Sequence, residues 1–350
     1  MPSSRPRERF TVPELAEVLR RSTLGAVEKV TEFGRGSSRS PKLVVTAQGR
    51  RWLLKRRAPA NRLPGRIEYC QGFQRFLAGA RLPVPAPRPF ADGRTCLELE
   101  GGSYEIFEFV EASRWSRTPQ EARSAGRMMG LLHARAEGYG GPGDPAHGSY
   151  HASELVLGAL CLCEESIPRA DPAADPDALT VITSGLRRAY REAAETVMEL
   201  GLRTFLPQAI HGDYHPGNLL WREGDVAAVL DFDSAREEPR VVDWANAILQ
   251  HGAPSLAGLE PAAWPGALDP VLVEALAAGL RSAANRPDPL EWQMAPWLMI
   301  ESCISECAVP IANRGAFADV RGMDFLAFTE RRVQWLRREA PSIVERCSQA

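Results

Sequence analysis

His211, Asp213, His215 and Asn218 fall within eight residues, "HGDYHPGN", after which the chain turns apolar. Two chemistries suit these groups. His211, Asp213 and His215 stand at alternate positions, and imidazole and carboxylate are ordinary zinc ligands, so one reading is a metallohydrolase. In the other, a carboxylate orients an attacking hydroxyl and takes its proton, while hard oxygens hold magnesium against a phosphate chain. Asp213 is then the base. Asn218, five residues on, supplies one oxygen ligand, and Asp231, beyond the apolar run "VAAVL", supplies the second. The local letters do not choose between these readings.

The elements around them do. "LLW", a turn around Glu223, Gly224 and Asp225, and "VAAVL" form a hairpin, which brings Asn218 and Asp231-Phe232-Asp233 to one end. Far upstream, Thr11 and Glu14 have capping-box spacing with Pro13 in the first turn, so "TVPELAEVLRR" predicts a short leading helix. Strand patterns follow in "AVEKVTEF", "KLVVT" and "RWLLKR", the last two forming a hairpin across Ala47 to Arg50. "IEYCQGFQRFLAGA" reads as a helix, and Pro83, Pro85, Pro87 and Pro89 form an extended connector. Two more strands lie around Glu100 to Ser103. After Val110 the pattern becomes helical from Thr118 onward, placing a boundary near residues 108 to 115. The Gly-, Pro- and Asp-rich stretch from Gly138 to Ala174 predicts a long loop broken by one short helix, with further helices beyond Gly252. The resulting division is an N-terminal helical extension over 1–24, a strand-rich unit over 25–110 and a helical unit over 111–350.

The sequence "HGDYHPGN", with Asp213 five residues before Asn218, followed by "LDFD", resembles the aminoglycoside phosphotransferase and choline kinase superfamily of small-molecule kinases. The resemblance implies an α+β, bilobal, protein-kinase-like fold: a small antiparallel-sheet N-lobe with one main helix, and a larger helical C-lobe. It implies ATP and Mg2+ as the reacting pair, with Asp213 as catalytic base and Asn218 and Asp231 on the metal. The loop "EFGRGSSRS" then wraps phosphates through Gly34, Gly36 and Ser37, and Lys55 holds the α- and β-phosphates, although a solvated strand-end lysine fits the letters as well. Glu68 is the only acidic residue between Lys55 and Asp92, hence the local partner for that lysine; a carboxylate favoured by a helix N-terminus is the alternative. Backbone near Glu108, Phe109 and Val110 meets the adenine edge. His211 braces the loop, and His215 touches the phosphate region or Asp231, or satisfies buried groups. Asp243 caps its own helix or anchors the catalytic loop. Asp233 stands where protein kinases have glycine and adds a carboxylate near the metal.

Composition narrows the partners. A chain of 350 residues with formal net charge -2 gives no global reason to expect nucleic acid or an anionic membrane, and a small-molecule hydroxyl acceptor is the expectation. Seven irregularly spaced cysteines suggest a reducing, cytoplasmic setting, and the N-terminal "MPSSRPRERF" lacks an apolar core. Glu301 and Glu306 are candidates to receive a cationic acceptor amine, against a plainer reading as solvated helix-face charges. A zinc hydrolase leaves Asn218, Asp231 and Lys55 unexplained, while a catalytically silent ATP-binding module and a protein-hydroxyl acceptor both remain open. The sequence does not fix the oligomeric state.

Overall fold

A capping box opens the first helix, as its sequence predicts. In the computed structural model, which describes residues 8–34, 39–100 and 102–349, α1 (Val12–Arg21) starts with the Thr11 hydroxyl accepting from the Glu14 N–H. The chain then forms β1 (Val27–Glu32), β2 (Lys42–Ala47), β3 (Arg50–Arg56), α2 (Pro64–Gly79), β4 (Leu97–Leu99) and β5 (Gly102–Glu108). These strands make one antiparallel sheet in the order β1-β2-β3-β5-β4.

Strand alternation gives this sheet two unlike faces. Leu43, Leu54 and Ile106 form one cross-strand row, and with Val45, Trp52 and Tyr104 they pack under Val18 of α1 in a small core of their own. The helix read as an extension is therefore seated on the sheet. Glu14 reinforces the seat by accepting from Arg56 Nη1 at 2.7 Å and from the Tyr104 hydroxyl at 2.6 Å. The opposite face carries the next row, Lys42, Lys55 and Glu105, and turns toward the rest of the molecule. Helix α2 sides with that remainder, because Tyr69, Cys70, Phe73 and Leu77 join the large core. Phe73 meets Phe232 edge-on at 5.7 Å and Tyr139 at 5.1 Å.

The large helical part continues through α3 (Pro119–Ala136), α4 (Glu154–Ala170), α5 (Pro176–Glu199), β6 (Gln208–Ile210), β7 (Leu219–Arg222), β8 (Asp225–Val229), β9 (Arg236–Glu238) and α6 (Arg240–Gly252). It ends in α7 (Pro270–Ser282), α8 (Pro289–Arg314), the short pair β10 (Ala316–Phe317) and β11 (Val320–Arg321), and α9 (Gly322–Gln349). Helices α3 and α7 cross at van der Waals distance because glycines face the contact. A Cβ at Gly126 would lie 2.0 Å from the Leu276 carbonyl oxygen, and one at Gly279 would lie 2.1 Å from that of Arg123. The hairpin β7–β8 forms as its sequence indicates, and β6 pairs with β9.

One stretch corrects the sequence reading. The segment from Gly138 to Ala174 contains a helix of 17 residues, α4, rather than a short one. Its buried positions Val156, Leu157, Leu160, Cys163 and Ile167 follow helical spacing, but small residues and Pro168 in the last turn dilute the pattern.

Candidate active site

Asp243 is the post to which the loop at Asp213 is tied. Its buried carboxylate accepts from the backbone N–H of His211 at 3.0 Å and of Gly212 at 2.9 Å, and pairs with His133 Nε2 at 3.0 Å. Burial alone would raise this carboxyl, but hydrogen bonding and charge from His133 outweigh it and hold the pKa below the ordinary aspartate value. It does not cap its own helix, because α6 already begins at Arg240 and Asp243 stands a turn inside. Gly212 adopts φ +76°, and a Cβ there would meet the Ser234 carbonyl oxygen at 2.2 Å, so only glycine suits this corner. Tyr214, fully buried, donates to the Ala125 carbonyl of α3 at 2.9 Å.

His211 uses both ring nitrogens within the loop: Nε2 lies 2.9 Å from the Leu230 carbonyl oxygen, and Nδ1 accepts from the Asp213 N–H at 3.2 Å. Burial keeps it neutral by lowering its pKa. His215 Nδ1 accepts from the Gly217 N–H at 3.0 Å, capping the turn that delivers Asn218, and Nε2 stands 3.7 Å from Asp213. Burial and the neighbouring His211 bring His215 down to about 4. The zinc reading fails on this geometry, since His211 has no ring lone pair to offer. No metal-ligand cluster of three or more His, Cys, Asp or Glu occurs among the described residues.

The Asn218 NH2 donates both to the Asp213 carbonyl oxygen at 2.9 Å and to its carboxylate at 3.0 Å. The carboxamide oxygen is thereby left for another partner. At the far end of the hairpin the Leu230 N–H bonds the Asn218 carbonyl oxygen at 2.8 Å, so Asp213, Asn218 and Asp231 form one cluster. Asp231 holds φ +62°, an uncommon conformation for a residue with a side chain. Burial pushes Asp213 up to about 7, helped by the charge on Asp231 and opposed by the bond from Asn218.

Behind this cluster stands the charged row of the sheet. Lys55 donates to Asp231 Oδ1 at 2.9 Å and to Asp233 Oδ2 at 2.8 Å, and Lys42 Nζ lies 3.6 Å from Asp231 Oδ2. Burial disfavours the Lys55 ammonium, yet the two aspartates override it and raise its pKa. Reciprocally, Lys55 and Lys42 hold Asp231 below the usual carboxylate range against its burial. Arg57, 1% exposed, joins Glu105 at 2.6 Å and Asp233 at 2.9 Å. All of these except Arg57 and Glu105 border a cavity of about 940 Å³ whose other walls include Leu53, Phe107, Leu220 and Leu230.

That cavity also reaches Glu108 to Ala112. The Phe109 N–H is taken by the Arg51 carbonyl, while Ile106, two residues before Glu108, turns its carbonyl away from β3 to accept from Arg88. By strand alternation Glu108, the last residue of β5, presents its backbone on that outer side, whereas the Phe109 N–H is already used.

A family model for APH, the phosphotransferase enzyme family, matches residues 29–292. The chain belongs to this family. Among curated relatives, "Serine/threonine protein kinase RdoA" of Salmonella typhimurium is 27% identical over 199 residues, 55% of this chain and 55% of its own. The chain thus spans about half the length of the curated relatives it matches. Two solved structures share the fold over nearly the whole chain. The microcompartment-associated aminopropanol kinase has TM-score 0.69 at 16% identity, covering 95% of this chain and 98% of its own. Amicoumacin kinase hAmiN, in complex with AMP-PNP, Ca2+ and Ami, has TM-score 0.67 at 14% identity, covering 95% and 94%. The fold is therefore kinase-like and α+β.

Within this phosphotransferase-family chain, several sequence expectations need correction or stand outside what is described. Glu68 is exposed and does not pair with Lys55, whose carboxylate partners are Asp231 and Asp233. Gly34 has open space around it, and Gly36 and Ser37 lie outside the described residues. Glu301 is fully buried, bonded to His151 Nδ1 and the Ala152 N–H at 2.8 Å each, so it is neither a solvated face charge nor free for an amine. Glu306 is open to solvent yet hemmed in by protein, which pushes its carboxyl up to about 7, and it is hydrogen-bonded by Gln250. The sequence reading passed over Lys42, Arg57 and Glu105. The two-residue turn at Gln48-Gly49 contained a signal for the first, because it sets Lys42 opposite Lys55.

Proposed function

We propose that this protein is an ATP- and magnesium-dependent O-phosphotransferase that moves the γ-phosphate to a hydroxyl of a small molecule. The observation that carries the reading is Asp213: an accessible carboxylate, oriented by Asn218, at the border of the cavity that Lys55 and Asp231 also line. A pKa near 7 suits a group that must take a proton at neutral pH. Asp213 accepts the acceptor's hydroxyl proton as the oxygen attacks the γ-phosphorus; the bond from the γ-phosphorus to the bridging oxygen breaks, and ADP leaves. Lys55 moves its hydrogen bonds onto the phosphates and stabilises their charge. His211 and Asp243 keep the loop fixed, so that little reorganisation accompanies the transfer.

The donor set fits magnesium: the carboxamide oxygen of Asn218, without a hydrogen-bond partner among the described residues, and the carboxylate of Asp231 are hard oxygen ligands held together by the Leu230 bond. When bound there with the nucleotide, the ion supplies charge neutralisation between phosphate oxygens. Glu108 and Val110 offer backbone to adenine. Gly34, Gly36 and Ser37 are proposed to cover the phosphates, and Asp233 to steady Lys55 and Arg57.

The test is ADP release from Mg-ATP across amino-alcohols, sugars, aminoglycosides and generic protein substrates. Acceptor-stimulated release should fall about 10²- to 10⁴-fold in Asp213→Asn, with ATP affinity nearly unchanged. Stimulation that survives in the variant would remove Asp213 from the reaction. A protein hydroxyl is the second reading, favoured by the name of the Salmonella typhimurium relative; stimulation by the protein substrates alone would establish it.

A further inference from the structure

We propose that Lys42 is a second phosphate-binding lysine, which takes the triphosphate of the nucleotide jointly with Lys55. The inference rests on the reading of the cavity as an ATP site and adds a residue to it. Lys42 stands directly opposite Lys55 across β2 and β3, on the face of the sheet turned to the cavity, and both side chains line that cavity. The two ammonium groups reach the two oxygens of the same carboxylate, Lys55 at Oδ1 and Lys42 at Oδ2 of Asp231.

Their attachments differ. Lys55 has two carboxylate partners within 2.9 Å, whereas the one ion pair of Lys42 among the described residues is 3.6 Å long, beyond hydrogen-bonding range. Lys42 has a side chain 13% exposed, so its ammonium has left bulk water without gaining a close acceptor among the described residues. Anionic oxygens entering the cavity would supply that acceptor.

Charge counting leads the same way. The row and its partners hold three cations, Lys42, Lys55 and Arg57, against three carboxylates, Glu105, Asp231 and Asp233. Without Lys42 the set is net negative and repels a polyanion; with it the set is neutral, and magnesium carried with the nucleotide makes it attractive. When phosphates engage both lysines, Asp231 is released from two ammonium groups and becomes available to the ion. Lys42 thereby acts on two steps, holding phosphate and freeing a metal ligand.

The alternative is that Lys42 only neutralises Asp231. Calorimetric titration of the full chain with Mg-ATP and, separately, adenosine distinguishes the two, using wild type, Lys42→Met and Lys42→Arg. The expected result is a loss of about 10- to 100-fold in Mg-ATP affinity for Lys42→Met, with adenosine affinity within about twofold of wild type and most of the Mg-ATP loss recovered in Lys42→Arg. Unchanged Mg-ATP affinity in Lys42→Met would overturn the proposal. Equal weakening of adenosine and Mg-ATP would overturn it as well, by assigning Lys42 to the build of the lobe. Failure of wild type to bind Mg-ATP at all would instead sink the parent reading of the cavity.

Discussion

At the residue scale, a carboxyl that keeps its proton until about pH 7 imposes a pH profile on the reaction. Because the pKa of Asp213 is raised, the basic form is scarce below neutrality and dominant above it, so kcat/KM should rise about tenfold per pH unit up to about 7 and then level. A flat profile between pH 5.5 and 7 would contradict the assignment. The charge on Glu306 contributes to that raised value, and because Glu306 is itself pushed up to about 7 this charge is present only near neutrality and above, so Glu306→Gln should bring the profile to its plateau at lower pH while leaving the limb below about pH 6 in place; an unchanged approach to the plateau would show that Glu306 does not act on Asp213. The sequence made the meeting of Asp213, Asn218 and Asp231 legible because it follows from local spacing and one hairpin. It misplaced the partner of Lys55, since proximity along the chain suggested Glu68 whereas Asp231 and Asp233 arrive from 176 and 178 residues away. The Arg57–Glu105 pair was hidden for a similar reason, its members being 48 residues apart.

At the element scale, the contrast between two helical glycines tests how α3 and α7 are held together. Gly126→Ala drives a methyl group into the Leu276 backbone carbonyl and should destabilise the protein by about 1–3 kcal/mol, read as a lower midpoint in urea. Gly158, on the exposed side of α4, has nothing within 4 Å of an added Cβ, so Gly158→Ala should stabilise by about 0.5–1 kcal/mol through helix propensity alone. Equal shifts in both variants would mean that the close crossing is relieved at no cost. The capping box at Thr11 was readable because a cap is a local bond, and it formed; a second one formed at Thr118, where the sequence placed the start of a helix. Helix α4 was underestimated because its core positions include small residues that weaken the apolar period, and β6 and β9, three residues each, are too short to alternate visibly.

At the scale of the whole molecule, the cavity lies between a sheet with its own small core and a helical body with a much larger one. A ligand that touches both should stabilise the pair together: Mg-ATP at about 100 times its Kd should add about 2.7 kcal/mol, measured as a rise in thermal midpoint. Amide exchange should slow in β2, β3 and residues 213–218 and change little in α1, which packs on the outer face of the sheet; protection confined to α1 would contradict the placement of the nucleotide. No described helix is long and apolar enough to cross a membrane. The switch in pattern near Val110 gave the sequence its division into a strand-rich and a helical part, but the allegiance of α2 did not follow from it, because helical spacing tells which side is apolar and not which body will cover it. That allegiance has a consequence for the protein's birth. Tyr69, Phe73 and Leu77 leave the ribosome early, but Phe232, which packs on Phe73, is made more than 150 residues later. At about 5–20 residues per second, Phe73 waits roughly 8–32 s for Phe232 on every nascent chain, long after its other aromatic partner Tyr139 has been made, an interval in which a chaperone has an incompletely covered apolar site to hold.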